Sequence, residues 1–315
     1  MSAVVEQALA LWGLSGARYA LVAARENALY RVTANGVSHA LRLHRKGYRS
    51  DQELWSELEL MSAVARGGIQ VPDPIPSTSG RMLHVIDGIQ VDVLTWLQGG
   101  TVAEALARAT GAERVAIFRQ VGCRMARMHD VTDAWPLPGG FMRCAWDRAG
   151  LLGDAPLWDR FWANPALDDK DRALFLAFRD RANTVLEQSQ DSLDYGLIHA
   201  DLVSLNMMVD EGQVRFIDFD DSGFGFRIFD IATALFKHSS EPDYTALQSA
   251  LLDGYASVRP LDLAALDLFL ALRAATYVGW NITRLAEDGA AARNDRFICE
   301  ARRLARNYLS RSQQS

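Results

Sequence analysis

The sequence predicts an α+β protein with a small antiparallel-sheet N-terminal lobe and a larger, mainly helical C-terminal lobe. Three observations carry this. Short runs of alternating apolar residues separated by turn chemistry fill most of residues 17–95. Apolar residues at helical spacing dominate from Thr101 onward. The two patterns meet at Gln98-Gly99-Gly100, so residues 1–97 and 98–315 are expected to form separate lobes hinged near 97–100. A crevice between two lobes is a usual place for a ligand.

In chain order, Val4–Leu14 reads as a short amphipathic helix. The runs ARYALVAAREN, ALYRVTANG and VSHALRLHR follow as strands, and Asn35-Gly36 between the last two marks a hairpin whose mirror-image turn needs positive φ. Asp51 is placed to cap a helix over about 52–65, on which Leu54, Leu58, Met61 and Ala65 share one face, and Gly67-Gly68 stops it. After the Pro-rich VPDPIPSTSG, the segments RMLHVIDG and IQVDVLTWL suggest a second hairpin turning at Asp87-Gly88. Residues 101–130 read as helix, with Phe118, Val121, Met125 and Met128 on one stripe and His129 at its C-terminal end. A Pro/Gly-rich loop and more helix follow, and helical patterns fill most of the chain after Phe229.

Bulk composition narrows the function. The chain has 315 residues, 49% hydrophobic and 23% charged, and a net charge of −6, which argues against a nucleic-acid binder. Cys123, Cys144 and Cys299 match no metal-ligand spacing and suggest a reducing compartment. No basic n-region opens the chain and no apolar run reaches the ~20 residues of a membrane span. A cytoplasmic protein without a membrane partner is expected.

The segment YGLIHADLVSLNMMVDEGQVRFIDFDD, residues 195–221, concentrates polar chemistry beside aliphatic strands. Two short strands turning at Asp210-Glu211-Gly212 would bring Asn206 near Asp218. Phosphoryl transfer needs such a set. A carboxylate, Asp201, orients the attacking hydroxyl and accepts its proton, while an amide oxygen and a second carboxylate, Asn206 and Asp218, hold Mg²⁺ against nucleotide phosphates. The competing reading is a helix cap followed by solvated turn acids.

The segment HADLVSLN…IDFDD resembles the catalytic and metal motifs of the aminoglycoside phosphotransferase and choline kinase superfamily, whose fold is similar to that of protein kinases. ARENALYRV, ALRLHRKGYRS, SELELM, QVPDPI and FDIATALF have counterparts there in the same order, so the resemblance covers most of the chain. It implies an ATP- and Mg²⁺-dependent enzyme, with GTP as an alternative donor, in which Asp201 is the base, Asn206 and Asp218 are metal ligands and His199 braces the loop. Ala40 would lie under the adenine and Arg42, two positions on, would take the place of a phosphate-binding Lys, with Lys46 as the other candidate. Arg for Lys is a departure, since a guanidinium has different reach. Glu57 would pair with that cation, with Glu53 and Glu59 as competitors, and Asn27 would stand in the phosphate-covering loop, which has no glycine here. Asp220 and Asp221 are turn acids or helpers of a second metal, and Asp230 caps its own helix or braces the catalytic loop.

The acceptor is expected to be a small hydroxylated molecule: an amino alcohol, a hydroxy amino acid or an aminoglycoside. Trp146, Asp147, Trp158, Asp159, Phe161 and Trp162 mix aromatic faces with acids that could hold an ammonium group, or else pack helices together; Tyr277, Trp280, Asn281 and Arg284 form a second possible wall. A bacterial stress-response-type protein Ser/Thr kinase and a catalytically silent nucleotide-binding module are the alternatives.

Overall fold

The computed structural model describes residues 2–24 and 27–311. The chain forms two compact units that interleave in sequence: Met1–Ala107 with Asp130–Arg143 and Asn206–Asp220, and Arg108–His129 with Cys144–Leu205 and Asp221–Ser315.

The first unit opens with helix α1 (Ser2–Leu11), strands β1 (Arg18–Ala24), β2 (Ala28–Ala34) and β3 (Val37–Leu43), helix α2 (Asp51–Arg66), and strands β4 (His84–Ile86) and β5 (Ile89–Thr95). The strands form one antiparallel sheet in the order β1-β2-β3-β5-β4. Both expected hairpin turns are present, with φ of 50° and 80° at Asn35-Gly36 and 52° and 75° at Asp87-Gly88. These left-handed values match the right-handed strand twist and are cheapest for Asn, Asp and Gly. Alternation then sorts the faces. Tyr30, Val32, Leu41, Leu43, Val91 and Val93 pack under Val4, Val5, Ala8, Leu9 and Trp12 of α1 and the turn after it, whereas Ala40, Arg42 and Asp92 occupy the opposite face of the sheet.

Helix α2 starts one residue earlier than its apolar spacing suggests. Ser50, not Asp51, is the N-cap, and its hydroxyl and the Glu53 side chain form a reciprocal capping box. The same unit holds the hairpin Met207–Asp210 and Gln213–Phe216, turning at Glu211-Gly212, with Phe216 opposite Met207.

The second unit is mainly helical, with the short strands Ala145–Trp146, Tyr195–Ile198 and Gly223–Phe226 in one three-stranded sheet. Its helix Leu266–Trp280 buries almost every side chain. The stripe of Phe118, Val121, Met125 and Met128 is buried as its spacing requires. The helix that carries it, Gly111–Ala134, runs past His129, so that histidine is a fully buried mid-helix residue, not a C-terminal one. Among the described residues no helix is long and apolar enough to cross a membrane.

Candidate active site

In the first unit the chemistry gathers around Arg42. Register places it directly opposite Asp92 on β5, and the guanidinium donates from Nε and Nη2 to the two Asp92 oxygens at 2.8 and 2.9 Å. Its Nη1 donates to Glu57 Oε1 at 2.7 Å, and His44 Nε2 lies 2.6 Å from Asp92 Oδ2. Of the acids competing for Arg42, then, the structure brings up Glu57; Glu53 serves the α2 cap. Lys46 lies away from the cluster, its amine beside the turn at Gly88. Three of the five guanidinium N–H donors are engaged by carboxylates, which leaves two.

All these groups are buried, so their charges are coupled. Burial alone would lower the Arg42 pKa, but Asp92 and Glu57 hold it well above its ordinary value. Burial would raise both acids, and the cations outweigh it: Arg42, Arg143 and His44 depress Glu57, and Arg42 and His44 hold Asp92 down at about 2. Because the Asp92 pKa is depressed below its ordinary 3.8, the stability it contributes is present above that value and is lost as pH falls toward 2. The shift corresponds to about 2 kcal/mol. Breaking a buried pair by removing one partner costs about 3–5 kcal/mol at neutral pH. An unfolding titration of Asp92→Asn against the wild type is therefore expected to show a gap that narrows between pH 4 and pH 2. A gap that stays constant over that range would refute the pairing.

Arg143 joins this cluster to the segment around Asp218. Its guanidinium lies 3.8 Å from Glu57 Oε2 and donates to the carbonyls of Glu53, Phe219 and Asp220 at 3.1, 3.0 and 2.6 Å. Arg49 adds a bond to the Asp220 carbonyl at 3.1 Å. The hairpin delivers what its spacing promised, since Asn206 O accepts from Ile217 N–H at 3.0 Å, one residue before Asp218. Asp218 itself sits at φ 67°, a left-handed conformation that a non-glycine residue holds at a cost of about 1–2 kcal/mol. Among the described residues no group of three or more His, Cys, Asp or Glu could hold a metal ion. An amide oxygen and a carboxylate oxygen are hard donors of the kind a divalent cation takes when water and phosphates fill its other positions.

Of the expected phosphate-covering loop, Arg25 and Glu26 lie outside the described residues. The Asn27 amide oxygen accepts from Arg45 N–H at 3.4 Å.

In the second unit, Asp201 stands at the centre of a bonded network. Its Oδ1 accepts from the Tyr277 hydroxyl at 3.1 Å and from Arg273 Nη2. Its backbone N–H donates to His199 Nδ1 at 3.3 Å. Asp230 holds the loop from beneath: its carboxylate accepts from the N–H groups of His199 and Ala200 at 2.9 and 2.7 Å and from His129 Nε2 at 3.1 Å. Of the two readings for Asp230, this is the brace. Burial lowers the His129 pKa, so the ring is neutral, donating from Nε2 and accepting at Nδ1 from the Tyr255 hydroxyl at 2.9 Å. Ala200, just before Asp201, has φ 66°. Two left-handed non-glycine residues thus sit at the two motif positions, where backbone strain tends to mark function.

Most of the aromatic–acid wall is packing. Trp146 stacks on Phe229, Phe161 packs on Phe175 and Phe178, and Asp147 caps a short helix through Gly150 N–H. Trp162 carries the Arg179 guanidinium, and Asp221 receives the Trp146 indole N–H on its carbonyl. Trp158 and Trp280 differ, lying half-buried around Tyr277.

Sequence reasoning missed Asp92, Arg143, Arg273 and Lys237. Asp92 and Arg273 left a signal, one charge inside an apolar strand and one inside an apolar helix. Arg143, in an aperiodic loop about 75 residues from the carbonyls it holds, left none.

An antiparallel-sheet unit carrying a buried cation–carboxylate pair and a helical unit carrying the His-x-Asp loop define a protein-kinase-like fold. The chain belongs to the phosphotransferase enzyme family, whose model matches residues 20–267. It is 29% identical over 82% of its length to a homoserine kinase of Brucella abortus (strain S19), of which the match covers 76%. It is 26% identical over 74% of its length to the amicoumacin kinase of Bacillus subtilis (strain 168), covering 67% of that protein. Among solved structures, a microcompartment-associated aminopropanol kinase superposes with a TM-score of 0.85 at 28% identity, covering 98% of both chains. The protein is a phosphotransferase of the small-molecule kinase kind.

Proposed function

We propose that the protein transfers the γ-phosphate of ATP, taken up with Mg²⁺, to the hydroxyl of a small molecule: an amino alcohol, a hydroxy amino acid or an aminoglycoside. The observation that carries this reading is the His199–Asp218 segment, where the residues a phosphoryl transfer needs sit on backbone held in left-handed conformation at Ala200 and Asp218. Asp201 orients the acceptor and takes the hydroxyl proton as the oxygen bonds to phosphorus and the bond to the nucleoside diphosphate breaks. Asn206 and Asp218 would hold the cation, which supplies charge neutralisation on the phosphates. Ala40 leaves room for the base. The two remaining N–H donors of Arg42 are available to phosphate, Glu57 and Asp92 keep that guanidinium charged, and Asn27 completes the cover. His199 positions Asp201 through its backbone N–H. The homoserine and aminopropanol kinases named above act on alcohols of this size, which supports the acceptor class. Three unbridged cysteines support a cytoplasmic setting.

The test is a coupled nucleotide-consumption screen with ATP and with GTP, with and without Mg²⁺, over amino alcohols, hydroxy amino acids, aminoglycosides and a generic protein acceptor. Acceptor-dependent release of nucleoside diphosphate that requires Mg²⁺ and a small alcohol is the expected result. Consumption that only the protein acceptor stimulates, or that no acceptor stimulates, would overturn the reading.

A further inference from the structure

The groups around Asp201 say what else the acceptor carries. Two cations converge there. Arg273 is fully buried, and while Nη2 serves Asp201 and the Tyr277 hydroxyl, its Nε and Nη1 are buried without a hydrogen-bond partner. A buried donor left unbonded is destabilising, so a pair of such donors marks a place for an acceptor atom. Lys237, the residue after helix Arg227–Phe236, lies with its ammonium 4.8 Å from the Tyr277 ring centroid and 5.8 Å from that of Phe236. Among the described residues it has no carboxylate within ion-pair distance. Its surroundings desolvate it, and Asp201 and Arg273 are the charges that act on it.

An acceptor held by its ammonium group alone is a poor match for this wall. The ring faces that would receive it by cation–π contact are already taken. Arg273 lies 4.5 Å from the ring centroids of both Trp158 and Tyr277. Arg284 and Arg293 lie 4.1 and 5.2 Å from that of Trp280. Of the nearby acids, Asp201 is committed to Arg273 and Tyr277, and Asp221 acts on Tyr277 as a weaker field. Arg273 and Lys237 against Asp201 leave one positive charge, which suits a monoanion.

We propose that the acceptor is an alcohol bearing a carboxylate a few carbons from its hydroxyl, seated by Lys237 and the unused donors of Arg273 beside Asp201. This rests on the phosphotransferase reading above. Trp158 and Trp280, which cover this group of cations, are themselves only half-buried. Binding the anion next to the base fixes the distance from carboxylate to hydroxyl and so selects chain length.

Three matched probes separate the charges: 4-hydroxybutanoate, which has the carboxylate alone, 3-aminopropan-1-ol, which has the amine alone, and homoserine, which has both. Binding is read by calorimetry in the presence of a non-hydrolysable nucleotide and Mg²⁺, and turnover by nucleotide consumption. The expected result is that both carboxylated alcohols bind at least tenfold more tightly than the amine. Lys237→Met is expected to raise KM for them by about ten- to a hundredfold, the range for a charge-assisted hydrogen bond, with a much smaller change in kcat. Lys237 is surface-accessible, so the variant is expected to fold. Equal or tighter binding of 3-aminopropan-1-ol, no binding of either carboxylated probe, or an unchanged KM in Lys237→Met would overturn the proposal. Turnover of the amine alone would leave the phosphotransferase reading standing while this inference falls. Binding of the carboxylated probes without turnover of any alcohol would overturn the phosphotransferase reading, and with it the acceptor assignment, while leaving a carboxylate site beside Asp201.

Discussion

Asp201→Asn is expected to lower turnover by about 10²- to 10⁴-fold, the usual contribution of a positioned proton acceptor, with nucleotide binding and folding retained. The choice of Asn follows from what surrounds the carboxylate. Oδ1 accepts from the fully buried Arg273 guanidinium and from the Tyr277 hydroxyl. Truncation to Ala would strand that guanidinium without its anion, a loss of about 3–5 kcal/mol. A dead Ala variant would then report on folding as much as on chemistry. Asn keeps the carbonyl oxygen and both hydrogen bonds while removing the basicity. Turnover within a factor of a few of wild type in a folded Asp201→Asn protein would strip Asp201 of its assigned role.

The second large effect is on nucleotide binding. Asp218→Asn is expected to abolish the Mg²⁺-dependent part of the thermal shift that ATP produces, and to cut turnover by about 10²-fold or more, because charge neutralisation at the phosphates carries most of a phosphoryl transfer. Asn again is the informative change. At φ 67° it is tolerated almost as well as Asp, whereas Ala would add backbone strain. A thermal shift with Mg·ATP that persists undiminished in the variant would end the metal assignment.

Much of this was legible in the sequence, for definite reasons. Hairpins announced themselves because Asn-Gly and Asp-Gly are nearly the only cheap occupants of their left-handed turns. Arg42 and Leu41 could be assigned to opposite sheet faces because strand side chains alternate strictly. The pairing of Arg42 with Glu57 was open among three acids on one helix, since a helix face alone does not say which turn meets the strand. Asp92 escaped because its meaning depends on cross-strand register, which sets β3 against β5 across some fifty residues of chain. The acceptor wall could be read from the sequence as an ammonium site or as helix packing, and nothing in the spacing chose between them. Aromatic residues near acids suggested a cation, but helix Leu266–Trp280 and Lys237 bring the protein's own cations to those rings. His129 was placed at a helix end because the apolar stripe fades there, although the helix continues for another five residues.

Arg143 has a consequence for motion. One rigid planar group grips α2 at Glu57 and the Glu53 carbonyl while also holding the carbonyls of Phe219 and Asp220. The helix and the acidic segment after the hairpin are thereby tied through a single guanidinium. Removing the Arg143 guanidinium is expected to loosen both attachments at once.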